Sequence, residues 1–273
     1  ARFMFSYINR EFVKAISGGH KQRIINHVGE VVENPKRWDE PTPLTSLLGP
    51  VPLPIAIGPG EATFEWYVFT RLMDLQSVQM MAEEVQKGAS ESMFKLLNSH
   101  LAVNSVLVLG DFKQAISPLV RVHSCCITGD VFGSMRCDCQ SQLKTSFQKI
   151  AGEGSGAIIY YGSHEGRGIG LYAKAATYIL QDLGYDTYEA NQKLGLPADS
   201  RDYHEVGAVL KYFRGDGAIR LLTNNPLKVQ HLEESGVKIA ATEKIVTGLS
   251  AYNRRYIRAK KNAGHTIEER DLK

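Results

Sequence analysis

Residues 119–161 read LVRVHSCCITGDVFGSMRCDCQSQLKTSFQKIAGEGSGAIIYY. The hydrophobic period changes twice along this stretch. Residues 120–123 form a short β-branched run that reads as a strand, residues 142–152 set Leu143, Phe147, Ile150 and Ala151 on one helical face, and residues 157–161 are again strand-like. Strand, helix and strand in this order are the unit of an α/β layered domain. The alternation continues downstream. Ile169, Tyr172, Ala175, Ala176, Ile179 and Leu183 recur at helical spacing before Gly184, a further helix is expected at 203–213, a strand at 219–223, and a helix opened by Asn225-Pro226 and ended by Gly236.

All four cysteines, Cys125, Cys126, Cys137 and Cys139, fall inside this stretch. Cys137-Asp138-Cys139 is too tight for an easy bridge to itself, and nothing in the chain signals an oxidising compartment, so a metal is the better account of the cluster. Zinc favours thiolates in tetrahedral geometry, and neighbouring Cys125 and Cys126 point to opposite faces of an extended segment. Three thiolates with one open position describe a catalytic zinc. A structural site closed by all four cysteines, or by three of them and His123, stays open on spacing alone.

Upstream the pattern differs. Seven prolines lie between Pro35 and Pro59 and predict sparse regular structure there. Residues 63–70 (TFEWYVFT) and 105–109 read as strands and 80–97 as a helix, with the aromatic run from Phe64 to Phe69 taken as exposed surface. The expected organisation is an N-terminal extension or small domain at 1–115, a catalytic α/β (α+β) domain at 116–250 and a basic tail at 251–273.

The 273 residues carry a net charge of +3, with 43% hydrophobic and 22% charged residues, a globular balance. The apolar stretch at 51–57 is broken by prolines and no transmembrane span is expected. The first residues lack a charged region followed by an apolar core, so the expectation is a cytoplasmic enzyme with no membrane partner. Residues 251–273 hold seven Lys/Arg against three Asp/Glu. This excess is read as a solvated helix face, and nucleic acid is not expected as a partner.

Three further segments carry site chemistry. The glycine-rich Ser163-His164-Glu165-Gly166-Arg167-Gly168 precedes a helix and suits an anion or nucleotide. Thr223-Asn224-Asn225-Pro226-Leu227-Lys228 sets a hydroxyl, two amides and a lysine at another helix start, and Asp199-Ser200-Arg201-Asp202 is a charged knot that also reads as a helix cap.

Taken in order, RVHSCCITGDVFGSMRCDCQSQL (121–143), HEGRGIGL (164–171), LQDLGYDTYEAN (180–191), LGLPADSRDY (194–203) and RLLTNNPLKV (220–229) resemble the GTP cyclohydrolase II family. The resemblance runs from about residue 119 to 246. It implies an enzyme that opens the imidazole ring of GTP with a zinc-bound water, releases formate and pyrophosphate, and feeds riboflavin synthesis. It implies one Zn²⁺ per chain on Cys126, Cys137 and Cys139, Mg²⁺ with the substrate phosphates, and a homodimer. Nucleotide contacts are implied at Arg121, Val122, His123, Ser124, Cys125, Gln142, Glu165, Gly166, Arg167, Thr187, Thr223 and Lys228, with Tyr178 stacking on the base. Asp199 matches the family's proton acceptor and Arg201 its nucleophile toward the α-phosphate.

Two features depart from the pattern. Cys125 stands where the family carries a glutamate, and the proline-bearing N-terminal segment is not required by compact members. Both resemble a branch associated with uracil catabolism, which makes a uracil nucleotide such as UTP the alternative substrate. A non-catalytic zinc-binding interaction protein is the alternative from a different class.

Overall fold

The apolar run at 119–124 becomes an inner strand of one eight-stranded sheet. The computed structural model describes residues 21–33, 43–73, 104–197, 199 and 201–272. Its strands are β1 (Gln22–Ile25), β2 (Thr45–Ile57), β3 (Gly60–Arg71), β4 (Asn104–Leu109), β5 (Leu119–Ser124), β6 (Gly156–Tyr161), β7 (Ile219–Leu222) and β8 (Ile239–Glu243). Their spatial order is β1-β2-β3-β4-β6-β5-β7-β8. The strands from β1 through β4 to β6 pair antiparallel, whereas β6, β5, β7 and β8 run parallel. The chain is therefore a mixed α/β protein, as the alternating pattern predicts.

Parallel strands need crossovers, and helices supply them. Between β5 and β6 lie α1 (Ile127–Asp130) and α2 (Cys139–Glu153). After β6 come a 3₁₀ turn (Gly162–Arg167), α3 (Gly170–Asp182), α4 (Thr187–Lys193) and α5 (His204–Arg214). The crossover from β7 to β8 is α6 (Pro226–Glu234), where Asn225 caps the start by accepting from the Leu227 amide. Helix α7 (Arg254–Asn262) and a 3₁₀ turn (Glu269–Leu272) follow β8.

Both sheet faces are covered. On one, Phe64, Leu107, Leu119, Ile158 and Leu222 pack with Phe147 and Ile150 of α2. On the other, Val106, Val120, Val122 and Ile159 pack with Val206, Val209 and Leu210 of α5 and Leu232 of α6. Each such side chain contributes about 1.5–3 kcal/mol by leaving water.

Several expectations need correction. The aromatic run is not exposed, because the strand period of two sends Phe64 into one core and Tyr67 and Phe69 into the other. Prolines do not prevent β2. Strand β1 pairs only with residues 45–48 of β2, so from Val51 onward one side of that strand has no strand partner among the described residues, and Pro52 and Pro54 sit where a missing N–H removes no ladder bond. The apolar stripe of α3 is largely turned to solvent, with Tyr172, Ile179 and Leu183 exposed and Lys174 and Thr177 buried instead. Residues after 250 are not merely a solvated face, since Ile257, Ile267 and Leu272 form a cluster with Leu249 and Tyr256. The helix expected at 80–97 lies outside the described residues.

His164 links the end of β6 to the start of α5. Its ring stands 4.0 Å from Tyr161 and 4.8 Å from Tyr203, its Nε2 donates to the Asp202 carbonyl at 2.8 Å, and its Nδ1 accepts from the Ser124 hydroxyl. Burial, opposed by the Asp202 carbonyl, brings its pKa down to about 3. Between that value and the ordinary one, the unfolded chain holds a proton that the native ring lacks, so stability falls with acidification. Lowering the pH from 7.5 to 5 should cost about 2 kcal/mol through this residue. Thermal unfolding at both pH values checks it, and His164→Gln should flatten the pH slope.

Candidate active site

The parallel strands deliver the site at their carboxyl ends. Strand β5 carries Arg121 and His123 and leads to Cys125 and Cys126, β6 leads to His164, Glu165 and Arg167, and β7 leads to Thr223 and Lys228. The cavity there is lined by sixteen of the residues expected from sequence: Arg121, His123, Ser124, Cys125, Cys126, Cys137, Cys139, Gln142, Glu165, Gly166, Arg167, Tyr178, Thr187, Arg201, Thr223 and Lys228. Val122 lies instead in the core, on the opposite strand face from Arg121 and His123, and offers its carbonyl to Lys228 Nζ at 2.7 Å. Asp199 is not among the lining residues and pairs with Arg201, which is.

In the cavity wall the sulfurs of Cys126, Cys137 and Cys139 lie within 4.8 Å of one another, the Cys126–Cys137 pair at 3.7 Å. Cys139 is the first residue of α2, so the chain turns between Cys137 and Cys139 and brings both sulfurs to one side. Cys126 starts α1, and its amide donates to Asp130 at 3.0 Å. Asp130 also accepts from Tyr160 at 3.0 Å and pairs with His123 Nε2 at 3.1 Å, which fixes the loop. Hydrogen bonds from Cys137 and Cys139, then the Lys174 ammonium, drive the Cys126 thiol far below its ordinary pKa despite burial. One thiolate is therefore favoured by groups of the chain itself, the Lys174 ammonium among them.

These residues fit a zinc ion. The donor set is all sulfur, and Gly129 closes over it where a Cβ would stand 2.7 Å from Cys137 Sγ and 3.2 Å from Cys126 Sγ. Neither closed arrangement left open by spacing is formed. His123 is held by Asp130, and Cys125 turns the other way, donating to Glu165 at 3.6 Å and accepting from Tyr160 at 3.3 Å. Burial, with a smaller push from Glu165, takes the Cys125 thiol up to about 12, so it stays protonated.

Lys174 was not expected from sequence. Its Nζ lies 3.2 Å from Cys126 Sγ and 2.6 Å from Glu165 Oε1. Glu165 also accepts from the Ile127 amide at 2.6 Å, so this carboxylate ties the glycine-rich turn to the cysteine loop. Tyr178 leans on the same corner, its hydroxyl 3.1 Å from Thr128 and its ring under Arg136 at 4.5 Å. A signal existed: Lys174, Thr177, Tyr178 and Gln181 recur at helical spacing and together line the cavity.

The cavity is also rich in cations. Arg121, Arg167, Arg201, Lys228 and Lys260 all line it. Arg121 donates to the Leu222 carbonyl at 2.9 Å and to Gln142 at 2.6 Å, while its Nε has no partner. Gln142 in turn donates to Asp138 at 2.6 Å, and Asp138 pairs with Lys260 at 2.7 Å. Burial first, then repulsion from Arg121, Arg201 and Lys260, holds the Lys228 pKa well below its usual value. For Asp199, burial favours the neutral acid, but the paired Arg201 outweighs it and lowers the carboxyl pKa. Tyr256, Lys260 and His265 also reach the cavity from the C-terminal segment, which the charge count alone assigns to solvent.

Comparison with known proteins agrees with this geometry. The GTP cyclohydrolase II family model matches residues 91–245. Riboflavin biosynthesis protein RibBA of Salinispora arenicola (strain CNS-205) is 48% identical over 168 residues, covering 61% of this chain and 40% of its own length. The RibBA of Phocaeicola vulgatus (strain ATCC 8482 / DSM 1447 / JCM 5826 / CCUG 4940 / NBRC 14291 / NCTC 11154) is 43% identical over 208 residues, covering 72% of this chain and 51% of its own. The monofunctional riboflavin biosynthesis protein RIBA 3, chloroplastic, of Arabidopsis thaliana is 46% identical over 163 residues, covering 59% and 32%. The chain thus spans about half or less of the length of these relatives. The match covers more than half of the chain and includes the cysteine loop, the glycine-rich turn and the Thr223–Lys228 helix start, so the chain belongs to the GTP cyclohydrolase II family.

Proposed function

We propose that this chain is a zinc-dependent hydrolase that opens the imidazole ring of GTP, releasing formate and pyrophosphate in a riboflavin-forming route. The observation that carries the reading is one cavity that joins three converging thiols to the cations Arg121, Arg167, Arg201, Lys228 and Lys260. A nucleoside triphosphate offers the matching chemistry, a polyanion joined to a ring that a metal-activated water could attack. The names of the relatives, riboflavin biosynthesis proteins, support GTP as the base, and the family match runs through the Cys125 position. Nothing in the relatives' names favours a uracil nucleotide.

Cys126, Cys137 and Cys139 would hold the zinc, which when bound supplies Lewis acidity that activates water at neutral pH. The remaining work falls to the chain. Arg121, Arg167, Arg201 and Lys228 receive the triphosphate, which relieves the mutual repulsion that now depresses the Lys228 pKa. Mg²⁺ arrives with those phosphates. Lys174 fixes Glu165 beside the Cys126 sulfur, and Tyr178 bounds the base end. Cys125, as a neutral thiol, leaves Glu165 as the carboxylate that faces the base. Arg201 shares both its Nε and an outer nitrogen with Asp199, so drawing Arg201 to the α-phosphate frees Asp199 to accept a proton during ring opening.

A homodimer forms part of the same reading. The exposed Leu171, Tyr172, Ile179 and Leu183 give α3 an apolar outer face with no partner within the described residues, and a second copy burying it would brace the helix that carries Lys174 and Tyr178.

Three outcomes are expected. Cys137→Ser should lose stoichiometric zinc and reduce formate release from GTP by about a hundredfold or more; a variant that keeps both metal content and turnover refutes the metal assignment. Asp199→Ala should abolish formate release while Arg201→Ala mainly slows pyrophosphate release, read by assaying the two products separately, with UTP run in parallel as the substrate that should remain intact. Ile179→Asp should convert a dimer into a monomer in sedimentation velocity, whereas a monomeric wild-type chain at micromolar concentration removes the dimer from the proposal.

A further inference from the structure

We propose that the C-terminal segment, residues 248–272, is a working wall of the nucleotide site, with Lys260 and His265 contacting the anionic end of the substrate. The inference rests on the nucleotide reading above but concerns residues beyond 245, where the family match ends.

The segment is fastened to the cysteine loop at three points. Asn253, 1% exposed, donates through Nδ2 to the Cys137 carbonyl at 3.2 Å and to the Gly248 carbonyl at 2.8 Å. The Ser250 hydroxyl donates to the Met135 carbonyl at 3.4 Å, and Lys260 Nζ reaches Asp138 at 2.7 Å. From there Ile257 packs on Ile267 and Leu272, so the chain must fold back after α7. Thr266 completes the return by donating its amide to the Asn224 carbonyl at 2.8 Å and its hydroxyl to the same oxygen at 3.1 Å. That places His265 over the start of α6, whose Lys228 lines the same cavity.

The two side chains are suited to an anion. Asp138 occupies one of the three N–H donors of the Lys260 ammonium, and the Tyr256 ring lies 4.6 Å from it, which leaves donors for a ligand. The His265 ring has no hydrogen-bonding partner among the described residues and faces cations from four elements: Lys260 of α7, Arg201 before α5, Lys228 of α6 and Arg167 of the 3₁₀ turn. Burial first, then those cations, brings its pKa down to about 3. An incoming polyphosphate both accepts from its N–H and offsets the surrounding charge.

The test is the binding of inorganic triphosphate, measured by calorimetry on the zinc-loaded full chain, together with KM and kcat on GTP. His265→Ala lies outside the fastening contacts and should keep its zinc, weaken triphosphate binding about tenfold and raise KM more than it lowers kcat. Lys260→Gln should weaken triphosphate binding at least as much. Asp138→Asn is the control, since it removes the charge pairing from the same fastening while leaving the ammonium in place, and should retain most of the triphosphate affinity. Unchanged triphosphate affinity in His265→Ala overturns the proposal. So does equal loss of zinc in Lys260→Gln and Asp138→Asn with normal triphosphate affinity in the zinc-loaded fraction, because the segment is then only a strap. A wild-type chain that binds triphosphate through Lys260 and His265 but leaves GTP intact refutes the ring-opening reaction and leaves this inference standing.

Discussion

Repulsion among cations gathered in a poorly solvated cavity is the constraint to which the rest of the site answers. Arg121, Arg167, Arg201, Lys228 and Lys260 face one space, and water is largely excluded from Arg121 and Lys228. Like charges in such surroundings cost far more than on a surface. The fold meets part of this cost with two carboxylates, Asp199 against Arg201 and Asp138 against Lys260, and with carbonyls from Leu222 and Val122. Part is left over, visible in the unpartnered Nε of Arg121 and the depressed pKa of Lys228. The residual imbalance is what an anionic ligand would correct.

The sheet explains how so many side chains converge. In open α/β sheets the space beyond the carboxyl ends of parallel strands is free of crossover chain, and ligands collect there. Here β5, β6 and β7 each end in a loop that leads directly into a helix, and each loop contributes to a different part of the site. The cysteine loop follows β5, the glycine-rich turn follows β6, and the Thr223-Asn224-Asn225 start of α6 follows β7. The antiparallel strands β1 to β4 extend the same sheet without reaching the cavity, since no residue of those strands lines it.

How much of this was legible depended on the kind of signal. The strand-helix rhythm after residue 119 is local, and β5, α2, β6, α5, β7 and α6 fall close to their expected places. The three-sulfur cluster was legible because a C-x-C pair leaves few geometries, and the opposed directions of Cys125 and Cys126 followed from extended backbone. Other features depended on tertiary context. An apolar stripe marks a buried face only when something covers it, and α3 instead buries the polar stripe of Lys174 and Thr177 against the cysteine loop. Prolines argue against a strand only where a neighbour needs their N–H, which the edge of β2 does not. The C-terminal segment was hidden by its net charge, because three apolar residues separated by up to fifteen positions, Ile257, Ile267 and Leu272, cluster only after the chain turns back.

The spacing of the sulfurs also bears on chemistry of another kind. Cys126 and Cys137 are 3.7 Å apart, and the first of them is biased toward thiolate. A thiolate beside a second thiol is the starting arrangement for oxidative coupling, through a sulfenic acid or by exchange with a small disulfide. An ion bound by all three sulfurs occupies the electron pairs that such an attack requires. The three cysteines proposed to hold zinc are thus also the chain's redox liability, and a disulfide formed between them before metal loading blocks loading until it is reduced.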